Sequence, residues 1–137
     1  MIYFHSENDF TLQNKKQIIH WINHCIVRLT KITGEINYIF CDDEYLLNLN
    51  QEYLEHDTLT DIISFDDSDD TRVSGDIFIS TQRVKENAIV FNTSFIDELH
   101  RVLIHGLLHF VGFKDKTKLE KIEMRKQEDY YLSLREF

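Results

Sequence analysis

Two histidines and one aspartate are the residues whose types and spacing could do chemistry. His105 and His109 lie four residues apart, and Asp115 follows three residues after Gly112. On a helix, residues four apart share one face, so both imidazoles can reach one ion. A glycine lets the chain reverse direction, which brings the aspartate back to the same point. Two nitrogens, one oxygen and a fourth position open to water form the ligand set of a catalytic zinc ion. The sequence therefore predicts one Zn²⁺ per chain, bound by His105, His109 and Asp115.

A structural explanation of the same residues stays open. A histidine in an apolar helix is often a core residue that is hydrogen-bonded to a neighbour. Lys114 and Lys116 flank Asp115 and could pair with its carboxylate instead. Burying each polar ring nitrogen without a partner would cost roughly 1–3 kcal/mol, which favours a shared ligand for two imidazoles placed a turn apart.

The element that positions the histidines is predicted to be a buried helix over residues 95–111. Its apolar residues surround almost the whole helix, so no face is left for solvent. Gly112 ends this helix, as a C-terminal glycine often does.

The rest of the chain predicts an α+β fold with a mixed β-sheet packed against helices, in a single domain over residues 1–137. Strands are predicted over residues 1–5 (an edge strand), 35–41, 61–66 and 75–80, the last two as an antiparallel hairpin. Further helices are predicted over residues 14–30, after an N-cap at Asp42, over 81–88 and over 117–134. Residues expected on the inner faces of the second and last helices are Tyr45, Leu46, Leu49 and Tyr53, and Leu119, Ile122, Tyr130 and Leu134.

Composition narrows the class of protein. The chain has 137 residues, 42% of them hydrophobic, and no apolar run long enough to span a membrane. Its start lacks the basic and then apolar run of a signal peptide, so we expect a cytoplasmic protein with reduced thiols at Cys25 and Cys41. A net charge of −9 argues against sequence-blind binding to nucleic acid through a basic surface, and no DNA partner is expected. A local basic groove or a bound metal would still allow RNA binding.

The metal motif, with Gly112 inside it, resembles the core of the YbeY family of bacterial endoribonucleases, also called rRNA maturation factors. The resemblance extends upstream, in the order of the family, to residues 60–65 (Thr-Asp-Ile-Ile-Ser-Phe), residues 75–79 (Gly-Asp-Ile-Phe-Ile) and the segment Leu49-Asn50-x-x-Tyr53. Together these segments cover about residues 46–115.

The resemblance implies a zinc-dependent endoribonuclease specific for single strands, which acts in 16S rRNA 3′-end maturation and ribosome quality control. Its partners would be single-stranded or precursor ribosomal RNA and, with it, the ribosome or assembly factors. Three positions depart from the family pattern: Asp115 replaces a third histidine, Leu54 replaces an arginine that could hold a phosphate, and Asp66 replaces a proline. A carboxylate ligand lowers the net charge of the site, which makes a metal-bound water a weaker acid.

No side chain is identifiable as the general base, so a metal-bound water is the expected nucleophile. Asp61 and Ser64 could orient water or substrate, although a hydrogen bond at a strand end is the plainer role for both. Glu98 is either a surface acid near a helix N-terminus or a residue that supports the ligands. The bases expected to line an RNA path are Arg72, Arg83, Lys85 and Arg101.

Two rival functions stay open beside the endoribonuclease. A zinc peptidase of the zincin type needs Glu directly after the first histidine, where this chain has Gly106. A ribosome-assembly binding factor with a structural metal is favoured by Leu54 and by the acidic charge balance. A structural metal would be needed for folding, whereas a catalytic metal could be removed from a folded protein.

Overall fold

The computed structural model describes residues 1–54 and 60–137, and of residue 54 it describes the backbone alone. The side chain of Leu54, where the chain departs from the family pattern, therefore lies outside the described residues. The strands are Ile2–Ser6 (β1), Ile32–Cys41 (β2), Ile62–Asp66 (β3) and Arg72–Ser80 (β4). The helices are Lys15–Arg28 (α1), Asp43–Leu54 (α2), Thr81–Val90 (α3), Phe95–Phe110 (α4) and Lys118–Leu132 (α5). The predicted α+β class is confirmed.

The four strands form one mixed sheet in the order β1-β2-β4-β3. β1 and β4 both run parallel to β2, whereas β3 pairs antiparallel with β4. The predicted hairpin and the predicted edge strand at the N-terminus are thus present. β2 and β4 each begin three residues earlier than expected, because Ile32 pairs with Arg72 ahead of an irregularity in the register between Thr33 and Ile36. Among the described residues, no helix is both long enough and apolar enough to cross a lipid bilayer.

Helix α4 lies at the centre of the molecule, in contact with β3, β4, α3 and α5. The hydroxyl oxygen of Ser94 accepts a hydrogen bond from the amide of Asp97 and caps its N-terminus. At the other end, the amides of Gly112 and Phe113 donate to the carbonyl oxygens of His109 and Leu108. Gly112 has φ of 102°, so the chain turns there as predicted.

The expected inner face of α2 is wrong at two positions. Leu46 is buried, but Tyr53 is 60% exposed and Tyr45 is 39% exposed. Both tyrosine rings lie against aromatic side chains of the sheet, Tyr45 stacked on Phe78 and Tyr53 edge-on to Phe65, with their outer sides in solvent. The hairpin surface that α2 covers is therefore too narrow to bury the whole apolar face.

The expected inner face of α5 is wrong at three of its four positions. Leu119, Ile122 and Tyr130 are 79%, 57% and 42% exposed, whereas Leu134, beyond the end of the helix, packs against the core. The face that packs inward carries Met124, Glu128 and Tyr131, at helical spacings of four and three residues. A glutamate in the middle of this face interrupts the apolar pattern, which is why hydrophobic spacing indicates the wrong side.

Two glycines allow α4 to approach the hairpin closely. A Cβ at Gly106 would lie 3.0 Å from side-chain atoms of Ile62 and Ile77, so a strand occupies the space beside the first histidine. At Gly75, with φ of 152°, a Cβ would lie 2.4 Å from the carbonyl oxygen of Phe65 and 2.6 Å from the ring of Phe110. Gly75 thus sets the distance between β4 and the end of α4 that carries His109.

Replacing Gly75 with alanine is expected to lower the free energy of unfolding by about 3 kcal/mol, from backbone strain and overpacking together. Gly112→Ala is the matched control, because its φ is also positive but nothing lies within 4 Å of the added carbon. The control is expected to lose about 1 kcal/mol from strain alone. Urea unfolding of the two variants measures both costs, and equal costs would contradict the close approach at Gly75.

Candidate metal centre

The three predicted ligand side chains converge on one point. His105 and His109 project from one face of α4, with their Nε2 atoms 3.0 Å apart. After the turn at Gly112, Asp115 places Oδ2 at 3.1 Å from Nε2 of His105 and at 3.3 Å from Nε2 of His109. The three atoms therefore form a nearly equilateral triangle.

The dimensions of this triangle fit a tetrahedral metal ion. Bonds of about 2.0–2.1 Å at tetrahedral angles separate neighbouring ligand atoms by about 3.3 Å. The observed separations of 3.0, 3.1 and 3.3 Å lie close to that value, and the three side chains together can hold a metal ion. Within the described residues, the ion-pair partners of Asp115 are the two histidines, so the alternative in which Lys114 and Lys116 take its carboxylate does not describe this structure.

The protonation of His105 also favours a cation between the three atoms. Nδ1 of His105 lies 2.6 Å from Oε2 of Glu128, an arrangement in which Nδ1–H donates to the carboxylate. A neutral imidazole has a single N–H, so its Nε2 carries a lone pair. In that neutral form the lone pair faces the lone pairs of the Asp115 carboxylate, and a cation on the three atoms, either a proton or a metal ion, removes their repulsion.

Glu128 is the functional residue that the sequence did not reveal. Its side chain is buried, and Oε1 accepts a hydrogen bond of 2.9 Å from Nη1 of Arg101. The other guanidinium nitrogen, Nη2, binds Asp129 at 2.7 Å. Arg101 therefore holds Glu128, and Glu128 holds His105 in one tautomer and one orientation, as carboxylates beside metal-binding histidines do. The signal in the sequence is the spacing of Glu128 from Met124 and Tyr131, which places it on the inner face of α5.

Acidic groups concentrate around His105. Burial lowers the pKa of His105, but the hydrogen bond and charge of Glu128, with the charges of Asp115 and Asp61, outweigh it and raise the pKa overall. Burial also raises the pKa of Asp61 and that of Glu98. Glu98 is 4% exposed, so its description as a surface acid is wrong. The local field at His105 thus favours positive charge.

The triangle opens into a cleft of about 360 Å³. The side chains of His105, His109 and Asp115 are 19%, 29% and 37% exposed, so the centre is accessible from the cleft. Other residues that line the cleft include Thr60, Asp61, Ile62, Ser64, Phe91 and Arg125. Both residues predicted as catalytic candidates, Asp61 and Ser64, therefore lie in the same cleft as the three ligands.

Asp61 also has the plainer role that the sequence suggested. Its carboxylate is hydrogen-bonded to the side chain of Asn87, and its carbonyl oxygen accepts from the amide of Ser80 at 3.0 Å. Ser64 lies on β3 opposite Ile77.

Three of the four bases expected to line an RNA path do not line this cleft. Arg83 pairs with Asp43 at 2.7 Å and with Glu86 at 2.6 Å, so α2 and α3 hold its guanidinium. Arg72 lies at the start of β4, and Lys85 is on α3. Arg101 lines the cleft, but its guanidinium is held by Glu128 and Asp129. The base on the cleft wall that the sequence did not single out is Arg125 on α5.

Comparison with known proteins agrees with this architecture. The family model described as Endoribonuclease YbeY matches residues 2–135. The Endoribonuclease YbeY of Christiangramia forsetii is 55% identical over 133 residues, covering 97% of this chain and 93% of that protein. The protein of the same name from Flavobacterium psychrophilum is 52% identical over 134 residues, covering 98% and 96%. A protein of Thermotoga maritima with a known solution structure superposes with a TM-score of 0.69 at 27% identity, covering 98% of this chain and 88% of that one.

We expect the wild-type protein to bind one Zn²⁺ per chain, and the variants His105→Ala and His109→Ala to retain less than about a tenth of it, because two donors cannot hold the ion. Elemental analysis after dialysis measures the metal content. His20→Ala is the matched control, since His20 and His24 have the same spacing on α1 but lie in solvent. Equal zinc in wild type and both α4 variants would remove the metal site.

Removing the carboxylate that holds His105 is expected to weaken metal binding by about tenfold to a hundredfold in Glu128→Ala. Glu128→Gln should lose less, because its amide oxygen still accepts from Nδ1–H. Glu123→Ala, on the exposed side of the same helix, is the control. Competition with a chromophoric chelator gives the affinities, and unchanged affinity in a folded Glu128→Ala protein would show that Glu128 does not position His105.

Proposed function

The chain belongs to the endoribonuclease YbeY family, and from that membership we propose that it is a zinc-dependent endoribonuclease that cleaves single-stranded ribosomal RNA. The proposed process is 16S rRNA 3′-end maturation and ribosome quality control in the cytoplasm, with precursor ribosomal RNA as substrate and the ribosome or its assembly factors as partners. The proposed ligands of the zinc ion are His105, His109 and Asp115.

The observation that carries the proposal is the open side of the ligand triangle. A structural zinc ion is enclosed by four protein ligands, whereas a catalytic one has three and an open position. Here the three donors are partly exposed at the base of a cleft that a substrate can enter. Phosphodiester hydrolysis is a reaction that such an open position can serve.

The groups around the triangle have separate roles in the proposed reaction. When bound, zinc supplies Lewis-acid charge for a phosphate oxygen and for the attacking water. Glu128 keeps Nδ1 of His105 protonated, so that the lone pair of Nε2 stays available to bind the zinc ion. Asp61, whose pKa is raised by burial, is proposed to orient the water and to accept its proton, since a carboxylate of raised pKa is the stronger base. The hydroxyl of Ser64 is proposed to orient the substrate from the same wall.

Phe91 on the cleft wall supports the preference for a single strand. The residue follows α3 directly, and its ring is 55% exposed although it lines the cleft. Aromatic rings accessible to solvent are the platforms on which unpaired bases stack in RNA-binding proteins. A duplex keeps its bases stacked on one another, so Phe91 can act only on an unpaired nucleotide.

The peptidase alternative is disfavoured by the position of Gly106. In zincin proteases the glutamate after the first histidine activates the water. In this chain that position faces the sheet, where even a Cβ would lie 3.0 Å from Ile62 and Ile77. Neither the residue nor the space for a zincin glutamate is present at position 106.

The proposed activity is tested with a labelled single-stranded RNA, its duplex and casein, each incubated with purified protein. Single-stranded RNA is expected to be cleaved, with the rate reduced at least about a hundredfold by a chelator or by His105→Ala, and casein is expected to stay intact. Circular dichroism of the chelated protein should show it folded. Unfolding on chelation would favour the binding factor with a structural metal, and cleavage of casein would favour the peptidase. RNA cleavage that persists without metal would contradict the proposal.

A further inference from the structure

The basic residues of this acidic chain are concentrated beside the metal centre. The segment of residues 114–126 holds six of the fifteen lysines and arginines but three of the 24 acidic residues. The remainder of the chain is therefore more acidic than the net charge of −9 suggests. A protein with this distribution repels a polyanion over most of its surface and attracts it along one segment.

Four of these cations form a continuous surface on α5, the basic face, made up of Lys118, Lys121, Arg125 and Lys126. They line a shallow depression together with Ile122 and Asp129. Lys118, Lys121 and Arg125 follow one another at spacings of three and four residues, so they lie in a row along one side of the helix. The row extends over about 10 Å of the helix axis.

The cations of the basic face are not held in salt bridges within the described part of the protein. All four side chains are exposed, and none of them forms a salt bridge with a described carboxylate. The two glutamates of the segment are engaged by uncharged donors. Glu120 accepts from the amides of Lys116 and Thr117, and Glu123 accepts from the side-chain amide of Gln127.

Four of the five other arginines differ from the basic face in this respect. Arg83, Arg101 and Arg135 are in salt bridges, and Arg28 donates to the hydroxyl of Tyr130. Their guanidinium groups support the fold, so they are poor candidates for binding a substrate. A run of charge on a helix is usually only a solvated face, but here it continues into a functional cleft.

Arg125 provides that continuity. It lines both the depression on α5 and the cleft that holds His105, His109 and Asp115. A chain that lies along α5 therefore reaches the cleft of the metal centre by way of Arg125. Ile122, 57% exposed between the cations, offers apolar contact to the sugar and base portions of such a chain.

We propose that the basic face binds the phosphate backbone of the RNA strand whose scissile phosphate lies at the metal centre. This inference rests on the proposed endoribonuclease function and adds the path of its substrate. Lys118, Lys121 and Lys126 bind phosphates remote from the cut, and Arg125 guides the strand into the cleft. The energy comes from release of counterions by the neutralised phosphates, so binding weakens as salt rises.

Two double variants with equal changes in charge test the path. Lys118→Gln with Lys121→Gln removes two cations from the basic face, and Lys15→Gln with Lys16→Gln removes two exposed cations from the first turn of α1. Fluorescence anisotropy measures the Kd of chelator-treated protein for a labelled single-stranded RNA of about 20 nucleotides. The salt concentration is varied from roughly 50 to 300 mM, a range over which the screening of surface charge increases. The α5 pair is expected to raise the Kd about tenfold at 100 mM salt and to reduce the slope of log Kd against log salt by about 1.4. The α1 pair should change the Kd by less than about twofold.

Cleavage assays separate this proposal from the one on which it rests. The α5 pair should raise KM for RNA and leave kcat and zinc content as in wild type, because no metal ligand changes. If the wild type cleaves RNA and both double variants bind RNA equally well, the path is overturned and the endoribonuclease function stands. If the wild type binds RNA through Lys118 and Lys121 but does not cleave it, the endoribonuclease function is overturned and the path is supported. If the wild type binds an acidic peptide as tightly as RNA, and the α5 double variant loses that binding, the basic face is a general anion surface and the assignment to RNA is overturned.

Discussion

The hydrogen bond between Nδ1 of His105 and Glu128 is the interaction on which the rest of the site depends. In the neutral imidazole it places the proton on the side away from the cleft, and so leaves the Nε2 lone pair to a metal ion beside His109 and Asp115. Without it, His105 could turn or change tautomer, and the triangle of donor atoms would lose a member. Glu128 is held in turn by Arg101, so one buried ion pair between α4 and α5 sets the geometry of the centre. The choice of a glutamate for a core position follows from this role.

Helix α5 therefore has two functions. Glu128 supports the metal centre, and the basic face lies on the turns that precede Glu128 along the helix. Helix α4 supplies the histidines and is held against the hairpin by close contact at Gly75 and Gly106. Because one helix carries both the support of the ligands and the proposed path of the strand, a substrate on the basic face lies at a defined distance from the metal.

Much of this structure could be predicted from local spacing. The interval between His105 and His109 and the turn at Gly112 depend on helix geometry alone, so the convergence of the three donors was foreseeable. The same holds for the hairpin, whose two strands are close in sequence. The roles of Glu128 and Arg125 could not be predicted, because they depend on how α5 rotates against α4. That rotation buries a glutamate and exposes Leu119 and Ile122, which is the reverse of what hydrophobic pattern alone favours. Charge pattern failed for a related reason, since Arg83 and Arg101, which resembled substrate contacts, have carboxylate partners in the fold.

X-ray absorption spectroscopy at the zinc edge of the loaded protein tests the central claim most directly, because it reports the donor atoms around the ion. Two imidazole nitrogens and oxygen donors, all at about 2.0–2.2 Å, are expected from His105, His109, Asp115 and water. Sulfur at about 2.3 Å would place the metal at a cysteine instead, and a spectrum without imidazole scattering would show that the two histidines do not share an ion. Either result would contradict the proposed centre.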